Sequence, residues 1–492
     1  MTTSSPESQP VALSSLLPEA GASDVAVTGL QLDSRRVEAG DVFFAVPGNK
    51  LDGRAFALDA ARRGAAAIVG EGERPVDLPE ATAWVTVANV RAAVAHAAAR
   101  FYPRQPAKVL AVTGTSGKSS VADFTRQIFL VLGQSAASLG TIGVVAPSGA
   151  VYGSLTTPDS ISLHRTLDEL AGEGVTHLVL EASSHGLDQH RLDGVRFAAG
   201  AFTNLGRDHL DYHPDVEAYL AAKLRLFSAL LPQGAPVVIN ADSPEAARVA
   251  TVAQARGLPL IGVGVSGADV RLESVVREGF GQRLRIGHEG RTYDVTLPLA
   301  GDFQASNALV AAGLALAAGE VPERVFKALE GLTGVKGRLE RVAEVNGGLI
   351  VVDYAHKPDA LASVLDTLRG YATGRLVVVF GAGGDRDRGK RPLMGAIAAE
   401  KADIAIVTDD NPRSEEPAAI RAEVLAGARG AAQIVEIGDR SAAIHHAVRL
   451  LGAGDVLVVA GKGHETGQIV GQTTLPFSDH DTVLAAVAEL TS

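Results

Sequence analysis

The chain has 492 residues, of which 46% are hydrophobic and 21% charged, the composition of a soluble globular protein with room for about three domains. Its 45 basic and 56 acidic residues give a formal net charge of −11, which excludes a global attraction to nucleic acid or to anionic lipid. It contains no cysteine, so disulfides, thiolate nucleophiles and cysteine-bound zinc are excluded, and its longest apolar runs fall short of the ~18 residues that a membrane span requires.

The N-terminal segment, up to about residue 105, is predicted to be a small mixed α/β unit. Residues 1–9 are polar, with neither a basic start nor an apolar stretch, so we expect no signal peptide and a cytoplasmic protein. On the residues alone, Asp33–Arg35 and Pro47–Gly53 are interpreted as surface turns. Tyr102–Pro106 contains two prolines and is predicted to be a linker.

A phosphate-binding loop is predicted next. Lys108–Val112 is an apolar, β-branched run typical of a buried parallel strand. The turn Thr113–Gly117 follows, and its two glycines allow backbone N–H groups to approach an anion at the start of a helix. There Lys118 would neutralise phosphate charge and Ser119 would ligate Mg²⁺. Because Val112 stands where the common P-loop pattern has its first glycine, this is a shorter variant, and an ordinary tight turn is the alternative interpretation.

Strand and helix patterns alternate from residue 107 to about 335, which predicts a parallel sheet. Polar clusters follow four of the apolar runs, at Thr113–Ser119, Glu181–Gly186, Asn204–His209 and Asn240–Asp242. Because ligands of open α/β sheets bind at the carboxyl ends of the strands, we expect the four clusters to line one crevice. Residues 268–299 interrupt the alternation with charged, β-branched segments, which indicates a local antiparallel excursion.

The last third of the chain repeats this pattern and predicts a second doubly wound domain. Its apolar runs lead into four further polar clusters, at Asp353–His356, Gly381–Asp387, Asp409–Arg413 and Gly461–Glu465. The segment Gly262–Gly267 matches the dinucleotide-binding glycine pattern, but a strand-like pattern follows it instead of a helix. We therefore expect no dinucleotide site.

Three side chains of the central segment allow more than one interpretation on the residues alone. Glu181 and His209 would complete a magnesium site with Ser119, although hard cations prefer oxygen ligands and a lone histidine is more often structural. Lys223 lies in an amphipathic helical pattern, where a solvated or snorkelling lysine is the ordinary interpretation.

Ordered motifs along nearly the whole chain match one known family. The motifs are Asp33–Arg35, Gly114–Ser120, Thr156–Asp159, Glu181–Gln189, Asn204–Asp211, Lys223, Gly337–Glu340, Asp353–His356 and Asp410–Arg413. They resemble the motifs of the Mur ligases, and within that family those of the ligases that add the third amino acid of the peptidoglycan stem peptide. The resemblance implies an α/β protein of three domains: a UDP-binding domain at 1–105, a central ATP-binding domain with a P-loop-type parallel sheet at 106–335, and a C-terminal Rossmann-like, amino-acid-binding domain at 336–492.

The resemblance also implies a set of site residues for each ligand. For the UDP-linked muramoyl-dipeptide there are two groups: the residues that would contact the UDP end are Leu32, Ser34, Asn49 and Lys50, and those that would hold the muramoyl-dipeptide are Thr156, Thr157, Ser183, Gln189 and Arg191. For ATP it is Gly114, Thr115, Ser116, Gly117, Lys118, Ser119, Ser120, Asn307, Arg338 and Asp353. For the incoming amino acid it is Arg386, Asp410, Asn411, Pro412, Arg413, Gly461 and Glu465. The implied catalytic residues are Lys118, Glu181, His209 and Lys223, and the last three, with Ser119, are the implied Mg²⁺ ligands. Lys223 matches the family's carbamylated lysine, which is an N6-carboxylysine.

The implied activity is that of a monomeric, Mg²⁺- and ATP-dependent ligase in peptidoglycan synthesis. It would add meso-diaminopimelate to UDP-N-acetylmuramoyl-L-alanyl-D-glutamate through an acyl phosphate, with L-ornithine or L-lysine as alternative amino acids. The segment Asp410–Arg413 resembles the family's signature for meso-diaminopimelate, whose second carboxylate an arginine grips with two hydrogen bonds. Two other functions stay open, a folylpolyglutamate synthase-like ligase and a non-catalytic P-loop switch. The residues around Ser34 and the Asp410–Arg413 tetrad argue against the first. The second set of polar clusters at strand ends argues against the switch, which has no need of it.

Overall fold

The computed structural model describes residues 10–48, 52–151, 155–206, 208–209 and 212–491. The chain divides into two compact units, one formed by residues 1–271 with 309–325 and the other by residues 272–308 with 326–492. Among the helices that the structure describes, none is long and apolar enough to cross a membrane. The predicted α/β class is confirmed, whereas the domain boundaries expected near residues 105 and 335 stay a prediction.

The N-terminal part of the first unit is a small parallel sheet with helices. Its elements in chain order are β1 Val11–Ala12, α1 Leu13–Leu16, β2 Ala26–Val27, β3 Gly29–Gln31, β4 Asp41–Phe44, α2 Ala57–Arg62, β5 Ala67–Gly70, β6 Ala83–Thr86 and α3 Val90–Phe101. Strands β3, β4, β5 and β6 pair in that order, all parallel. Every residue of β4 and β5 is buried, since both strands are central and covered on both faces.

The larger part of the first unit is a doubly wound sheet. Its elements are β7 Lys108–Thr113, α4 Lys118–Val131, β8 Ala136–Gly140, β9 Gly143–Ala146, β10 Gly149–Val151, α5 Ser160–Gly172, β11 His177–Glu181, α6 Ser184–Asp188, β12 Phe197–Phe202, α7 Val216–Arg225, β13 Val237–Asn240, α8 Ala246–Ala255 and β14 Leu260–Gly264. Strands β8, β11, β7, β12, β13 and β14 are parallel neighbours in that order. The four predicted polar clusters therefore follow adjacent strands, as expected from the sequence.

Side-chain caps explain where several helices of this sheet begin. Asp159 accepts hydrogen bonds from the first-turn amides of α5, Ser183 caps α6, and Asp215 caps α7. After α7 the chain makes one π-helical turn over Leu226–Leu230. The segment Gly262–Gly267 begins within β14 and leads into a further strand at Val270, as the strand-like pattern after it predicted.

The antiparallel excursion and the helices after it come next in the chain. They are β15 Val270–Glu278, β16 Gly281–His288, β17 Arg291–Leu297, α9 Asp302–Ala317 and α10 Pro322–Ala328. Residues 282–288 of strand β16 pair antiparallel with β17, which confirms the predicted excursion.

The rest of the second unit is the predicted doubly wound sheet. Its elements are β18 Glu340–Val345, β19 Gly348–Asp353, α11 Pro358–Arg369, β20 Leu376–Phe380, α12 Lys390–Lys401, β21 Ile404–Val407, α13 Pro417–Gly427, β22 Gln433–Glu436, α14 Arg440–Arg449, β23 Val456–Ala460, β24 Gly467–Val470, β25 Thr473–Pro476 and α15 Asp479–Thr491. Strands β19, β23, β20, β21 and β22 are parallel neighbours in that order, and β18 joins β19 antiparallel at the edge. Strands β24 and β25 form a separate hairpin.

Candidate active site

The predicted phosphate loop lies between β7 and α4. Gly114 has φ +147°, and a Cβ there would lie 1.9 Å from the hydroxyl of Thr203, so only glycine fits. Gly117 has φ +83° and stands immediately before the first turn of α4. Asn204, at the end of the neighbouring strand β12, accepts from the amides of Thr115 and Ser116 at 2.8 and 3.0 Å. Asn204 thus sets the shape of the loop, and the loop leads into the N-terminus of α4, where the first-turn amides of a helix point towards a bound anion.

Two lysine side-chain nitrogens meet at one carbonyl oxygen of this loop. Lys118 Nζ donates to the oxygen of Gly114 at 3.0 Å and to that of Thr115 at 2.9 Å. Lys223 Nζ, from α7, donates to the same Gly114 oxygen at 2.7 Å and lies 4.2 Å from the centre of the Tyr219 ring. Lys223 is only 1% exposed, so the interpretation of a solvated lysine is wrong. Burial first, and then the charge of Lys118, lower the pKa of Lys223 well below its ordinary value.

Glu181 ends β11 and is almost completely buried. Its two carboxylate oxygens accept from the amide and the hydroxyl of Thr141, at 2.8 and 3.1 Å. Thr141 Oγ1 lies 3.1 Å from the hydroxyl of Thr156, and Thr157 Oγ1 donates to the Glu181 carbonyl at 2.8 Å. Thr157 Oγ1 is also 2.9 Å from Ser183 Oγ. The predicted metal ligand Glu181 and three predicted dipeptide-binding residues therefore form one hydrogen-bonded group.

The other two predicted dipeptide-binding residues extend this group. Arg191 donates to the carbonyl of Thr157 and to the side chain of Gln189, both at 2.7 Å. Gln189 donates to the phenol oxygen of Tyr212 at 3.1 Å. Burial lowers the pKa of the Arg191 guanidinium from its ordinary value. A partly buried cation beside several hydroxyl groups is a suitable environment for a carboxylate ligand.

His209 lies in a cluster of imidazole and phenol rings. Its backbone is left-handed, with φ +53°, and its amide donates to the side chain of Asp208 at 2.9 Å. The His209 ring is 4.9 Å from that of His185 and 6.1 Å from that of Tyr219, measured between ring centres. Tyr219 Oη is in turn 3.1 Å from Thr115 Oγ1, so the cluster adjoins the phosphate loop.

The residues implied to contact UDP are only partly described. Ser34 is buried in a short turn of 3₁₀ helix, capped by Asp33, and Leu32 precedes it. Asn49 and Lys50 lie outside the described residues. A cavity of about 160 Å³ opens close to them in the chain; its lining residues are Ala45, Pro47, Asp52, Arg54, Glu71 and Gly72.

In the second unit, Asp353 holds the Gly337–Glu340 turn. Its carboxylate accepts from the amides of Leu339 and Ala355, both at 2.7 Å, and burial raises its pKa. The Arg338 guanidinium stacks 4.6 Å from the centre of the Tyr354 ring. Asn307 lies on α9, where its amide donates to Gln304 at 3.2 Å, and among the described residues no hydrogen bond joins it to Arg338 or Asp353. Asp353 thus contacts the residue next to Arg338, which brings these two predicted nucleotide-binding residues together.

The tetrad Asp410–Arg413 lies beyond the end of β21. Arg413 has φ +52°, its amide donates to the Ile469 carbonyl at 3.0 Å, and its guanidinium donates to the Gly384 carbonyl at 2.7 Å. A Cβ at Gly461 would lie 2.6 Å from the Asp410 carboxylate, so this glycine is needed for close approach. The predicted residue Arg386 follows Gly384 by two positions, in the loop that contacts Arg413.

Asn411 and Glu465 are hydrogen-bonded to each other, and both contact Lys462, a residue that the sequence analysis did not identify. Asn411 Nδ2 donates to Glu465 Oε2 at 2.9 Å, and Asn411 Oδ1 accepts from Lys462 Nζ at 2.8 Å. Lys462 lies between the predicted site residues Gly461 and Glu465 in the sequence, and this position could have identified it as a site residue. Thr141 was missed as well, and no signal in the chain links it to Glu181.

The residues of the first unit fit a nucleotide phosphate with Mg²⁺. The buried hydroxyl of Thr113, at the start of the loop, makes no hydrogen bond to any residue that the structure describes. Within the described ranges, no three His, Asp or Glu side chains converge closely enough to hold a metal ion. Ser119 and Glu181 supply only a few oxygen donors, which suits Mg²⁺, since this ion is commonly held by one or two protein ligands together with phosphates.

Comparisons with known proteins agree with these motifs. Three family models match in order along the chain: "Mur ligase family, catalytic domain" at residues 26–102, "Mur ligase middle domain" at 112–315, and "Mur ligase, glutamate ligase domain" at 337–463. A Bradyrhizobium diazoefficiens protein named UDP-N-acetylmuramoyl-L-alanyl-D-glutamate–2,6-diaminopimelate ligase is 60% identical over 468 residues, which cover 94% of this chain and 95% of that protein.

Solved structures give the same result for the fold. The structure of a ligase with the same name superposes with a TM-score of 0.74 at 33% identity, covering 98% of this chain and 100% of the other. A Mycobacterium tuberculosis folylpolyglutamate synthase complexed with ADP superposes with a TM-score of 0.63 at 19% identity, covering 76% of this chain and 92% of the other. At that identity the likeness concerns the fold alone.

Proposed function

The chain belongs to the Mur ligase family, and on that premise we propose that it is the ATP-dependent ligase that joins 2,6-diaminopimelate to UDP-N-acetylmuramoyl-L-alanyl-D-glutamate. The observation that carries this proposal is the presence of two different ligand regions, each at the carboxyl ends of a parallel sheet. One concentrates lysines at a helix N-terminus, as a polyphosphate requires, and the other surrounds Arg413 and Glu465 with fixed polar groups, as a diamino acid requires.

In the first step, the terminal carboxylate of the dipeptide attacks the γ-phosphorus of ATP. The bond to the bridging oxygen breaks, ADP leaves, and an acyl phosphate forms on the dipeptide. Lys118 and the first-turn amides of α4 neutralise the phosphate charge, and the group around Arg191, Thr157 and Ser183 holds the dipeptide. Mg²⁺, when bound, would stabilise the negative charge shared by the transferring phosphoryl group, with Ser119, Glu181 and His209 as its proposed ligands.

In the second step, the amino group of the diamino acid attacks the acyl carbon. Phosphate leaves, the nitrogen loses a proton, and an amide bond forms. The tetrad Asp410–Arg413 and the nearby Lys462 and Glu465, which we call the tetrad region, hold the far end of the amino acid. Arg413 binds the distal carboxylate, and Glu465 binds the distal ammonium. Because the leaving group is already activated, no covalent enzyme intermediate is needed.

The proposed carbamylation of Lys223 has chemical support in the first unit. Burial and the nearby Lys118 favour the neutral amine, which is the form that attacks CO₂. The nitrogen forms a bond to the carbon of CO₂ and loses a proton, so that a neutral amine becomes an anionic carbamate. The carbamate nitrogen would keep an N–H for the Gly114 carbonyl, to which the Lys223 amine now donates at 2.7 Å, and its carboxylate would serve as an additional oxygen ligand for Mg²⁺.

The most informative experiment is an amino-acid panel. Purified protein is given ATP, Mg²⁺ and UDP-N-acetylmuramoyl-L-alanyl-D-glutamate with meso-diaminopimelate, L-lysine or L-ornithine, and phosphate release and product mass are measured. We expect turnover that depends strictly on both the dipeptide and an amino acid, with the highest kcat/KM for meso-diaminopimelate. Turnover of ATP without an amino acid would indicate a switch, and preference for L-lysine or L-ornithine would overturn the proposed amino acid but leave the ligase assignment.

We further propose that the ligase is cytoplasmic, because ATP and a UDP-linked precursor are substrates of that compartment. We also propose that it acts as a monomer. Size-exclusion chromatography with light scattering, with and without ATP, measures the oligomeric state. A concentration-independent dimer would contradict the monomer.

A further inference from the structure

Lys462 is the completely buried lysine at the end of β23. It directly follows Gly461, and its side chain is 0% exposed. Its ammonium donates to Asn411 Oδ1 and to the Gly467 carbonyl, both at 2.8 Å, and it lies 3.3 Å from Glu465 Oε2. Three acceptors match the three N–H donors of an ammonium group. A cation that is buried in this way is held in one position, since each of its donors has a partner.

The contacts of Lys462 determine which way the Asn411 amide points. Asn411 Oδ1 accepts from Lys462 Nζ and also from the amide of Ile469 at 2.9 Å. Two donors on one side require the oxygen there, so the nitrogen faces Glu465, to which it donates at 2.9 Å. Without the Lys462 ammonium, the orientation of this amide would rest on the Ile469 amide and Glu465 alone.

The same contacts orient the carboxylate of Glu465. Its oxygen Oε2 accepts from both Asn411 and Lys462, whereas Oε1 accepts no hydrogen bond from the residues that the structure describes. The Glu465 side chain is 31% exposed, so Oε1 is accessible to a ligand. Lys462 therefore fixes one oxygen of the carboxylate and leaves the other for a cation.

Lys462 also connects the tetrad to the β24–β25 hairpin. It binds the carbonyl of Gly467, the first residue of β24, while Ile469 in the same strand pairs with Arg413. Gln468 donates to the Asp410 carbonyl at 2.7 Å. Loss of the ammonium would thus loosen the hairpin residues that hold the backbone of Asp410 and Arg413.

We propose that Lys462 is a positioning residue that aims Glu465 at the distal ammonium of the diamino acid. This inference rests on the proposed function, because it assigns one more role within the tetrad region, which is proposed to bind the amino acid. Lys462 contacts no reacting atom in the proposal, and it acts through Asn411 and Glu465. Its effect should therefore fall on recognition of the distal amino group and not on phosphoryl transfer.

The test compares Lys462→Met with the matched control Lys401→Met. Lys401 lies on α12 of the same unit, where its ammonium pairs with Asp366 at 2.8 Å on the surface. For each protein, KM is measured separately for ATP, UDP-linked dipeptide and meso-diaminopimelate. The ratio of kcat/KM is also measured between meso-diaminopimelate and 2-aminopimelate, which lacks the distal amino group.

We expect Lys462→Met to raise KM for meso-diaminopimelate on the order of 10- to 100-fold, with the other two KM values unchanged. The preference for meso-diaminopimelate over 2-aminopimelate should fall by about tenfold or more, since a misaimed carboxylate no longer distinguishes them. A merely structural role would lower kcat/KM for both amino acids equally. Lys401→Met should behave as the wild type, and Lys462→Gln, which keeps an N–H donor, covers the case in which Lys462→Met does not fold.

Failure of the proposed function and failure of the role proposed for Lys462 give different results. A wild-type protein that ligates no diamino acid overturns the proposed function. A wild type that does so, with a folded Lys462 variant that keeps its preference between the two amino acids, overturns only the role of Lys462. In a Glu465→Gln background the added Lys462→Met change should have little further effect on that preference, and a full additional loss would show that Lys462 does not act through Glu465.

Discussion

The phosphate loop and the tetrad region hold their lysines in different ways. In the loop, Lys118 and Lys223 donate to one and the same main-chain carbonyl, that of Gly114. In the tetrad region, Lys462 donates to the side chain of Asn411 and pairs with the carboxylate of Glu465. A carbonyl oxygen orients an ammonium group and leaves its charge in place, whereas a carboxylate cancels that charge.

The difference corresponds to the ligand proposed for each region. Two lysine nitrogens that meet at one neutral oxygen cannot both carry charge without repulsion, so the charge of Lys118 favours the neutral amine of Lys223. A polyphosphate, or a carbamate on Lys223, would supply negative charge beside Lys118. In the tetrad region, cationic and anionic groups alternate, as a ligand that carries both charges requires. The arrangement of charge around a buried lysine therefore indicates the class of ligand as clearly as the motif does.

The largest effect is expected from Lys118→Ala, which removes the charge nearest the helix N-terminus. We expect kcat to fall by about 10³-fold or more, because the developing phosphoryl charge loses a fixed cation. Lys327→Ala, at an exposed lysine that pairs with Glu330, is the control. Phosphate release gives the rate, and thermal unfolding checks the fold. More than a few per cent of residual activity in a folded variant would contradict the role of the loop.

The next effect concerns the second lysine of the loop. Lys223→Ala should lower kcat by about 10²-fold or more, since the proposed carboxylate ligand of Mg²⁺ is lost. A short carboxylic acid added to the variant should restore part of the activity. In the wild type, isotopically labelled bicarbonate should give a carbamate signal by NMR, and an active protein without that signal would contradict the modification.

A smaller effect is expected at Arg413, in the region where charges alternate. Arg413→Ala should lower kcat/KM for meso-diaminopimelate by about 10- to 100-fold, and that for L-lysine much less, because only the former has a distal carboxylate. Arg429→Ala, at an exposed arginine of the same unit, is the control. An equal loss for both amino acids would mean that Arg413 does not recognise the carboxylate.

The smallest expected effect is on the pH dependence of stability, to which a buried histidine in each unit contributes. Burial lowers the pKa of His164 in the first unit and of His464 in the second from 6.5 to about 4. Because the unfolded chain binds a proton between these pH values and the native histidine does not, stability is complete above pH 6.5 and falls as pH decreases towards 4.

Each histidine contributes a slope of up to about 1.4 kcal/mol per pH unit in that window. Urea unfolding at a series of pH values measures the slope, and His164→Asn and His464→Asn should each reduce it. If the slope is the same in the wild type and both variants, the two histidines are not the cause of the pH dependence.

Much of the fold could be predicted because its signals are local. Apolar runs such as Lys108–Val112 identified the central strands, and the polar clusters after them identified the ligand edge of each sheet. The strand after Gly262–Gly267 was predicted in the same way, because the residues there lack helical spacing. For the same local reason, Asp33–Arg35 could be interpreted only as a turn until the whole set of motifs was considered.

The chain by itself determined which residues form strands, helices and glycine turns, since periodicity and capping depend on neighbours in sequence. Only the tertiary structure decided what each lysine does. The contact between Lys223 and Gly114 joins residues 109 positions apart, and that between Lys462 and Asn411 joins residues 51 positions apart. Such partners are selected by the order of strands in a sheet, and helical spacing around Lys223 is the same whether the ammonium meets solvent or a buried carbonyl.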